Sequence, residues 1–155
     1  MKIITPQEEY KINNIKAIFL AGTIDDGNSI NWQKELIDKL SNTNLNIEIY
    51  NPRVSKWNPN ATNADIEYQI KWEQDHLDKA DLIIMYLADN SKSPISLLEL
   101  GLYASSKKLI VFCTDNFYRF VNVKLTCEKY NIELIQSTDI NVIINKIEQK
   151  LYNNI

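Results

Sequence analysis

Short, continuous apolar runs alternate along this chain with longer amphipathic stretches, and no other feature of the sequence constrains the fold as strongly. A short unbroken apolar run indicates a buried strand, whereas apolar residues that recur every three or four positions indicate a helix. We therefore expect strands at residues 17–21, 47–50, 81–88, 108–114 and 132–135. Helices are expected at residues 29–40, 65–79, 93–104, 121–130 and 139–152.

Strands that are apolar throughout are typical of a parallel sheet covered by helices on both faces. Right-handed crossovers then predict an α/β, three-layer, doubly wound sandwich with a five-stranded parallel sheet, flavodoxin-like or Rossmann-like. A length of 155 residues fits one domain, 1–155, with residues 1–16 as an N-terminal strap or edge strand. Ligands bind such folds beyond the carboxyl ends of the strands, so the loops at 22–28, 51–60, 88–93 and 114–117 are expected to hold any site.

Composition and charge disfavour several classes of function. Seventeen basic and twenty acidic residues give a net charge of −3, which argues against a broad nucleic-acid-binding surface. The apolar runs are far shorter than the roughly 20 residues of a membrane span, and the first residues lack the apolar core of a signal peptide. Cys113 and Cys127 form neither a CxxC pair nor a disulfide framework, so we expect a cytoplasmic protein with inert thiols.

The sequence also argues against cofactor chemistry. Its only glycines are Gly22, Gly27 and Gly101, so neither the dinucleotide-binding GxGxxG pattern nor the Walker A pattern occurs. The single histidine, His76, excludes a histidine-based metal cluster and is expected at the surface of its helix. We therefore expect no cofactor and no metal.

Glu99 is a carboxylate in a segment, residues 95–104, that is apolar almost all the way round and predicts a buried helix. Burial of an unpaired carboxylate is costly, so its presence there indicates a function. Glu99 lies within about two turns of the helix start, where exposed N–H groups favour anions, and shares a face with the hydroxyl of Ser96. The alternatives are that Glu99 faces a solvent gap or pairs with a distant lysine or arginine.

Glu73 shows the same anomaly on the preceding helix. At about 100° per residue it falls on the apolar stripe of Ile66, Ile70 and Leu77, although it could also reach water from the edge of that stripe. Two partly buried carboxylates near one cleft are typical of glycosidic-bond chemistry, in which one attacks the anomeric carbon and the other manages a proton. Their proximity would raise the pKa of one of them.

Five short motifs follow one another along residues 17–125. They are FLAGT at 19–23, NPR at 51–53, QIKWE at 69–73, LxxADLI at 77–83 and SxxELGL at 96–102. In order and spacing they resemble the nucleoside 2-deoxyribosyltransferase-like proteins, specifically the divergent branch found in bacterial and phage genomes.

This resemblance implies a flavodoxin-like fold and transfer of a 2-deoxyribosyl group between nucleobases through a covalent intermediate. Glu99, in the ELG element, would be the nucleophile, and Glu73 would stand where the well-studied branch has an aspartate that handles the base. The substrate would be a nucleoside or nucleotide. By the same analogy we expect at least a homodimer, with Asn122 as the candidate for an asparagine that a neighbouring subunit contributes to the pocket.

Two positions depart from the well-studied branch. Phe19 stands where a tyrosine often orients the nucleophile. Ser93 replaces an aspartate that grips the sugar hydroxyls, a role that Asp89 or Asn90 could take over. Phe19 and Trp57 are candidates to hold the base, although Trp57 could instead anchor its loop. Arg53 is a candidate to orient the base or a 5′-phosphate, or it is a surface arginine. The expected substrate-binding set is Phe19, Gly22, Asn51, Arg53, Trp57, Asp89, Ser93, Ser96 and Asn122.

Two other functions are compatible with the sequence. An N-glycoside hydrolase would use the same nucleophile with water as the acceptor, on deoxynucleoside monophosphates or on the nicotinamide–ribose bond of NAD. A non-catalytic nucleotide-binding or sensing module could also keep this fold, although binding alone would not require a carboxylate at Glu99.

Overall fold

A computed structural model describes residues 1–7, 15–25, 28–54, 58 and 60–152. Within these ranges the strands are β1 (Lys2–Ile4), β2 (Lys16–Gly22), β3 (Ile47–Tyr50), β4 (Leu82–Leu87), β5 (Leu109–Cys113) and β6 (Glu133–Ile135). The helices are α1 (Trp32–Leu40), α2 (Asn63–Lys79), α3 (Pro94–Tyr103), α4 (Phe120–Tyr130) and α5 (Ile140–Tyr152).

The strands form one sheet in the order β1-β3-β2-β4-β5-β6, and every neighbouring pair is parallel. Helices α1 and α5 pack on one face, and α2, α3 and α4 pack on the other. The predicted three-layer, doubly wound α/β fold is therefore confirmed. The sheet has one strand more than predicted, because Lys2–Ile4 pairs with the outer edge of β3 and buries Ile4.

The position of a ligand site follows from this strand order. From β2 the chain crosses to β3 on one side and then returns to β4 on the other side. Connections that leave a strand in opposite directions open a crevice at the carboxyl ends of the sheet, and this is where doubly wound folds bind ligands. In this protein that switch point lies between β2 and β4.

Two helices begin differently from the sequence-based expectation. The hydroxyl of Ser29 donates to the carbonyl of Ile24 instead of capping a helix, and α1 is capped by Asn31, which accepts from the N–H of Lys34. Ser93 stands at the N-cap position of α3, yet it has a positive φ of 42° and its side chain caps no N–H group. The side-chain hydroxyl of Ser93 is used elsewhere, in the site described below.

Helix α3 is not buried on every side, as its composition had predicted. Its inner face carries Ser96 and Leu100, which are 5% and 3% exposed, whereas Leu98 and Leu102 are 59% and 61% exposed. A single layer of helices covers each face of a sheet, so each helix has an outer side that only another molecule can cover. The outer face of α3 is therefore an exposed apolar surface.

Helix α2 divides its apolar residues between two environments. Trp72 and His76 are buried in the core, with ring centroids 4.0 Å apart, so the expectation of a surface histidine was wrong. Nδ1 of His76 lies 2.7 Å from the carbonyl oxygen of Trp72. Ile70 and Glu73, by contrast, face a cleft rather than the core.

Gly22 ends β2 at a point where the backbone of β4 comes very close. Its φ is +126°, a conformation that residues with a side chain rarely adopt. A Cβ atom there would lie 2.1 Å from the carbonyl oxygen of Tyr86. Glycine is thus required for the close pairing of the two strands that flank the switch point.

Candidate active site

A cleft of about 640 Å³ opens at the carboxyl ends of β2, β3 and β4, next to α2 and the beginning of α3. This volume lies in the range of roughly 300–1,000 Å³ that is typical of small-molecule sites. Seven of the residues expected from the sequence line it: Phe19, Gly22, Arg53, Glu73, Ser93, Ser96 and Glu99.

Glu99 and Glu73 are brought into this cleft by two different helices. Burial, and then the charge of Glu73, raise the pKa of Glu99 from its ordinary value to about 8. Burial also raises the pKa of Glu73, while a hydrogen bond from Gln69 opposes that shift. No ion pair between described residues involves Glu99, so its carboxyl group faces the cleft without a structural cation. The negative charge of Glu73 thus favours the protonated form of Glu99.

Gln69 fixes the position of Glu73. Its side-chain amide donates to Oε1 of Glu73 at 2.7 Å and to the carbonyl oxygen of Pro52 at 2.9 Å. Gln69 and Glu73 are four residues apart on α2 and therefore lie on the same side of the helix. This bridge ties the acidic group to the loop after β3.

Arg53 lines the cleft, but its guanidinium group is engaged by the protein. It donates to the carbonyl oxygens of Ser29 at 2.9 Å and Ile30 at 3.0 Å, and more weakly to Gln33. Burial lowers the pKa of Arg53, while the charge of Asp25 raises it. Arg53 thus connects the loop after β3 to the segment before α1.

A chain of hydroxyl groups connects the loops that follow β2 and β4. Oγ of Ser93 lies 2.7 Å from Oγ1 of Thr23 and 2.7 Å from Oγ of Ser91, and Ser91 donates to Oδ1 of Asp25 at 2.9 Å. Oγ1 of Thr23 also accepts the N–H of Ala88 at 3.0 Å. These contacts fix the two loops at the switch point relative to each other.

The remaining expected residues lie elsewhere. Asn51 does not line the cleft, since its side chain accepts the N–H of Arg53 and shapes the turn after β3. Asp89 accepts from Thr114 and joins the ends of β4 and β5 outside the cleft. Asn122 lies in a shallow hollow between α3 and α4, away from both glutamates. Trp57 falls outside the described residues.

Sequence reasoning missed several polar residues of the cleft, among them Asp25 and Gln69. The four-residue spacing of Gln69 and Glu73 was a signal that could have identified the glutamine. Nothing local marks Asp25, because an aspartate in a loop is common. Its place in the site depends on the contact with Ser91, which is 66 residues distant in the chain.

Two general features of the described residues bear on function. No group of three or more histidine, cysteine, aspartate or glutamate side chains is arranged to hold a metal ion in that part of the chain. The helices within the described ranges are all too short or too polar to cross a membrane.

The strand order and the cleft at the switch point define a flavodoxin-like α/β protein. The family model described as nucleoside 2-deoxyribosyltransferase like matches residues 15–117, and the chain therefore belongs to that family. Among solved structures, a conserved protein from Enterococcus faecalis V583 matches with a TM-score of 0.65 and 14% sequence identity, over 88% of this chain and 99% of that one. At this identity the likeness shows the fold alone. A search of curated proteins gave no significant match.

The raised pKa of Glu99 predicts a pH-dependent stability. In the unfolded chain this carboxyl ionises near its ordinary pKa of 4.5, whereas in the fold it holds its proton to about pH 8. Stability from this group is therefore fully present below about pH 4.5 and is lost as the pH rises through 8, a loss on the order of 5 kcal/mol. We expect Glu99→Gln to be more stable than the wild type at pH 9 but about equally stable at pH 4.5, as measured by urea unfolding.

The control for this measurement is Glu67→Gln. Glu67 is exposed on α2 and lies outside the cleft. Its replacement should leave the difference in stability between pH 4.5 and pH 9 as in the wild type. Equal pH dependence in the Glu99→Gln protein and the wild type would contradict the burial of an ionisable group at position 99.

Proposed function

We propose that this protein cleaves the N-glycosidic bond of a (deoxy)nucleoside and transfers the sugar to a second nucleobase through a covalent intermediate on Glu99. The observation that carries this proposal is the presence of two electrostatically coupled carboxyl groups, Glu99 and Glu73, in one cleft of nucleoside size. Such a pair can supply both a nucleophile and a proton donor. Membership of the nucleoside 2-deoxyribosyltransferase-like family supports the same chemistry.

In the first step, a carboxylate oxygen of Glu99 bonds to C1′ while the bond from C1′ to the base nitrogen breaks. The electron pair of that bond leaves with the base, which takes a proton from Glu73. In the second step, a nitrogen of the acceptor base attacks C1′, the ester bond to Glu99 breaks, and Glu73 recovers a proton from the incoming base. Two inversions at C1′ retain its configuration.

The mechanism requires the proton that Glu99 holds at rest to pass to Glu73. With the pKa of Glu99 raised to about 8, this group carries a proton in most molecules at pH 7. Before the attack this proton moves to Glu73, whose pKa is also raised by burial, so that Glu99 becomes the nucleophile and Glu73 the proton donor. Positive charge that develops at C1′ stabilises the Glu99 carboxylate further during the reaction.

Hydrolysis is the second candidate function, with water in place of the acceptor base. The outer part of the cleft favours it, because Ile66 and Ile70 are 44% and 46% exposed and leave the site accessible to water. Deoxynucleoside monophosphates and NAD would be the substrates to compare with nucleosides.

Product analysis tests these functions directly. The protein is incubated with deoxyadenosine and free cytosine, and separately with deoxynucleoside monophosphates and with NAD, and the products are separated by chromatography. Formation of deoxycytidine supports transfer, whereas release of the base together with free sugar, sugar phosphate or, from NAD, ADP-ribose supports hydrolysis. If neither product forms at high protein concentration, the proposed activity is wrong and a binding module is the better description.

We further propose that the protein is a homo-oligomer that uses the outer faces of α3 and α4. Leu98 and Leu102 on α3 and Val121 and Leu125 on α4 are 57–67% exposed, and association would remove this apolar area from water. Gly101 lies between the two leucines, and a Cβ atom added to it would meet no atom within 4 Å. A glycine inside a helix lowers stability by up to about 1 kcal/mol relative to alanine. Because Gly101 has no side chain, it would allow a second copy of the chain to pack closely against α3.

Asn122 lies on this same surface, which supports a role at the interface rather than in the cleft of its own chain. Light scattering should give a mass of at least two chains for the wild type. Leu102→Asp should yield monomers with unchanged circular dichroism, and a monomeric wild type would contradict the proposal. A charge buried at a subunit contact is strongly unfavourable.

We also propose a cytoplasmic location. Cys113 and Cys127 are both free and buried, and burial raises the pKa of Cys113 to about 12 and that of Cys127 to about 11. Thiols of this kind are inert core residues and need no oxidising compartment.

A further inference from the structure

Asp25 is a cleft carboxylate to which neither the family resemblance nor the sequence motifs assign a role. It lies three residues after the end of β2 and has a positive φ of 47°. Oδ1 accepts the hydroxyl of Ser91 at 2.9 Å. That bond fixes the carboxylate at the edge of the cleft and leaves its second oxygen available to a ligand.

Ser93, which replaces the sugar-gripping aspartate of the well-studied branch, is not available for that task. Its side chain lies 2.7 Å from the hydroxyls of both Thr23 and Ser91, and the residue is 4% exposed. In a consistent arrangement, Thr23 donates to Ser93, Ser93 donates to Ser91, and Ser91 donates to Asp25. Donors that point towards a carboxylate stabilise its negative charge.

Ser96 adds a second polar group to the same part of the cleft. It lines the same cleft in the first turn of α3 and is 5% exposed. Its hydroxyl has no hydrogen bond to any residue in the described part of the chain. The hydroxyl is therefore accessible from the cleft, where a polar group of the bound molecule can bond to it.

We propose that Asp25 recognises the free hydroxyl groups of the sugar, and that it makes this cleft selective for nucleosides over nucleoside 5′-monophosphates. This inference rests on the proposed function, because it assumes that a nucleoside occupies the cleft. The carboxylate missing at position 93 is thus supplied by a neighbouring loop, through the hydroxyl of Ser91.

The charges around the cleft support the exclusion of phosphate. The described residues that line it include the carboxyl groups of Asp25, Asp65 and Glu73, in addition to Glu99, which holds a proton at neutral pH. Arg53 is the cationic side chain among these lining residues, and its N–H groups bind backbone carbonyl oxygens. A phosphate dianion would meet negative charge without a new charge-assisted hydrogen bond, whereas a sugar hydroxyl can donate to Asp25.

The test compares the wild type with Asp25→Asn, because asparagine keeps the size of the side chain and tolerates positive φ. Calorimetry measures the Kd of deoxyadenosine and of its 5′-monophosphate, and kinetics measure kcat/KM for both. We expect Asp25→Asn to weaken deoxyadenosine binding about 10- to 100-fold, the usual effect of losing a hydrogen bond to a charged group. The preference for the nucleoside over the monophosphate should fall at least about tenfold.

Two further variants separate recognition from structure. Ser91→Ala leaves the carboxylate in place but removes the hydroxyl that fixes it, so we expect a smaller loss of affinity in the same direction. Asp115→Asn alters an exposed aspartate outside the cleft, and it should change neither affinity nor preference. Melting temperatures of all variants check that the fold is retained.

The outcomes distinguish this inference from the proposed function. If the wild type converts deoxyadenosine but Asp25→Asn binds it equally well with an unchanged preference, the inference is wrong and the function stands. If Asp25→Asn weakens nucleoside binding although the wild type shows no turnover, the inference stands and the catalytic proposal is wrong. Wild-type protein that binds the monophosphate more tightly than the nucleoside, or binds neither, overturns the inference.

Discussion

Replacing Glu99 by glutamine is expected to reduce turnover of deoxyadenosine by about 10³-fold or more, because an amide cannot form the glycosyl ester. The wild type incubated with a deoxynucleoside alone should show a mass increase of one deoxyribosyl group. Glu99→Gln should lack this adduct, as measured by mass spectrometry of the intact protein. The variant should still bind the nucleoside, since glutamine has nearly the same shape as glutamate.

The pH profile gives a second, independent signature of the same group. The active form has Glu99 ionised and Glu73 protonated, so kcat/KM of the wild type should fall about tenfold per pH unit above pH 8, where the pair loses its last proton. Glu67→Gln, changed at an exposed position of α2, should keep both the adduct and the profile. Full turnover by Glu99→Gln, or an adduct on another residue, would show that the nucleophile is assigned wrongly.

Replacing Gly22 by alanine is expected to destabilise the protein by more than about 4 kcal/mol, a large part of the 5–15 kcal/mol that stabilises a typical domain. The added Cβ would lie 2.1 Å from the carbonyl oxygen of Tyr86 and 2.7 Å from its backbone nitrogen. Neither atom can move without separating β2 from β4, and the positive φ adds strain of its own. Urea unfolding followed by circular dichroism measures the loss.

Gly101→Ala is the matched control, because its added Cβ would meet no atom within 4 Å. In the interior of α3, alanine should stabilise the monomer by roughly 0.5–1 kcal/mol, measured with both glycine variants in the monomeric Leu102→Asp background. The same methyl change is thus expected to have opposite signs at the two glycines. A Gly22→Ala protein with wild-type stability would mean that β2 and β4 do not approach as closely as described.

Most of the fold could be predicted from local pattern. Continuous apolar runs such as 109–113 are too short for helices and too uniform for a half-exposed sheet, so they predict buried parallel strands. The three-residue strand β1 was harder to assign, because Lys2–Ile4 is too short to show any periodicity. The sequence pattern also could not predict how deeply α3 is buried. Composition alone does not distinguish a helix that packs inside a core from one that exposes an apolar face.

The sequence could identify only those site residues that are unusual within their own helix. Glu99 and Glu73 are carboxylates on apolar helix stripes, and their sequence position is sufficient to identify them as candidates. The same reasoning could not exclude Asp89 or Asn51, because both follow strands at the correct edge of the sheet. Their side chains are turned towards Thr114 and Arg53 instead.

The sequence by itself determined the layered fold, the edge of the sheet where the cleft lies, and the two glutamates that we propose as catalytic, because each depends on interactions between residues close together in the chain. Only the tertiary structure decided that Arg53 is engaged by the backbone and that Asp25 belongs to the cleft. Both facts depend on hydrogen bonds between residues more than 20 positions apart in the chain. Such residues meet only when the sheet places the loops after β2, β3 and β4 side by side, and no local sequence pattern encodes that.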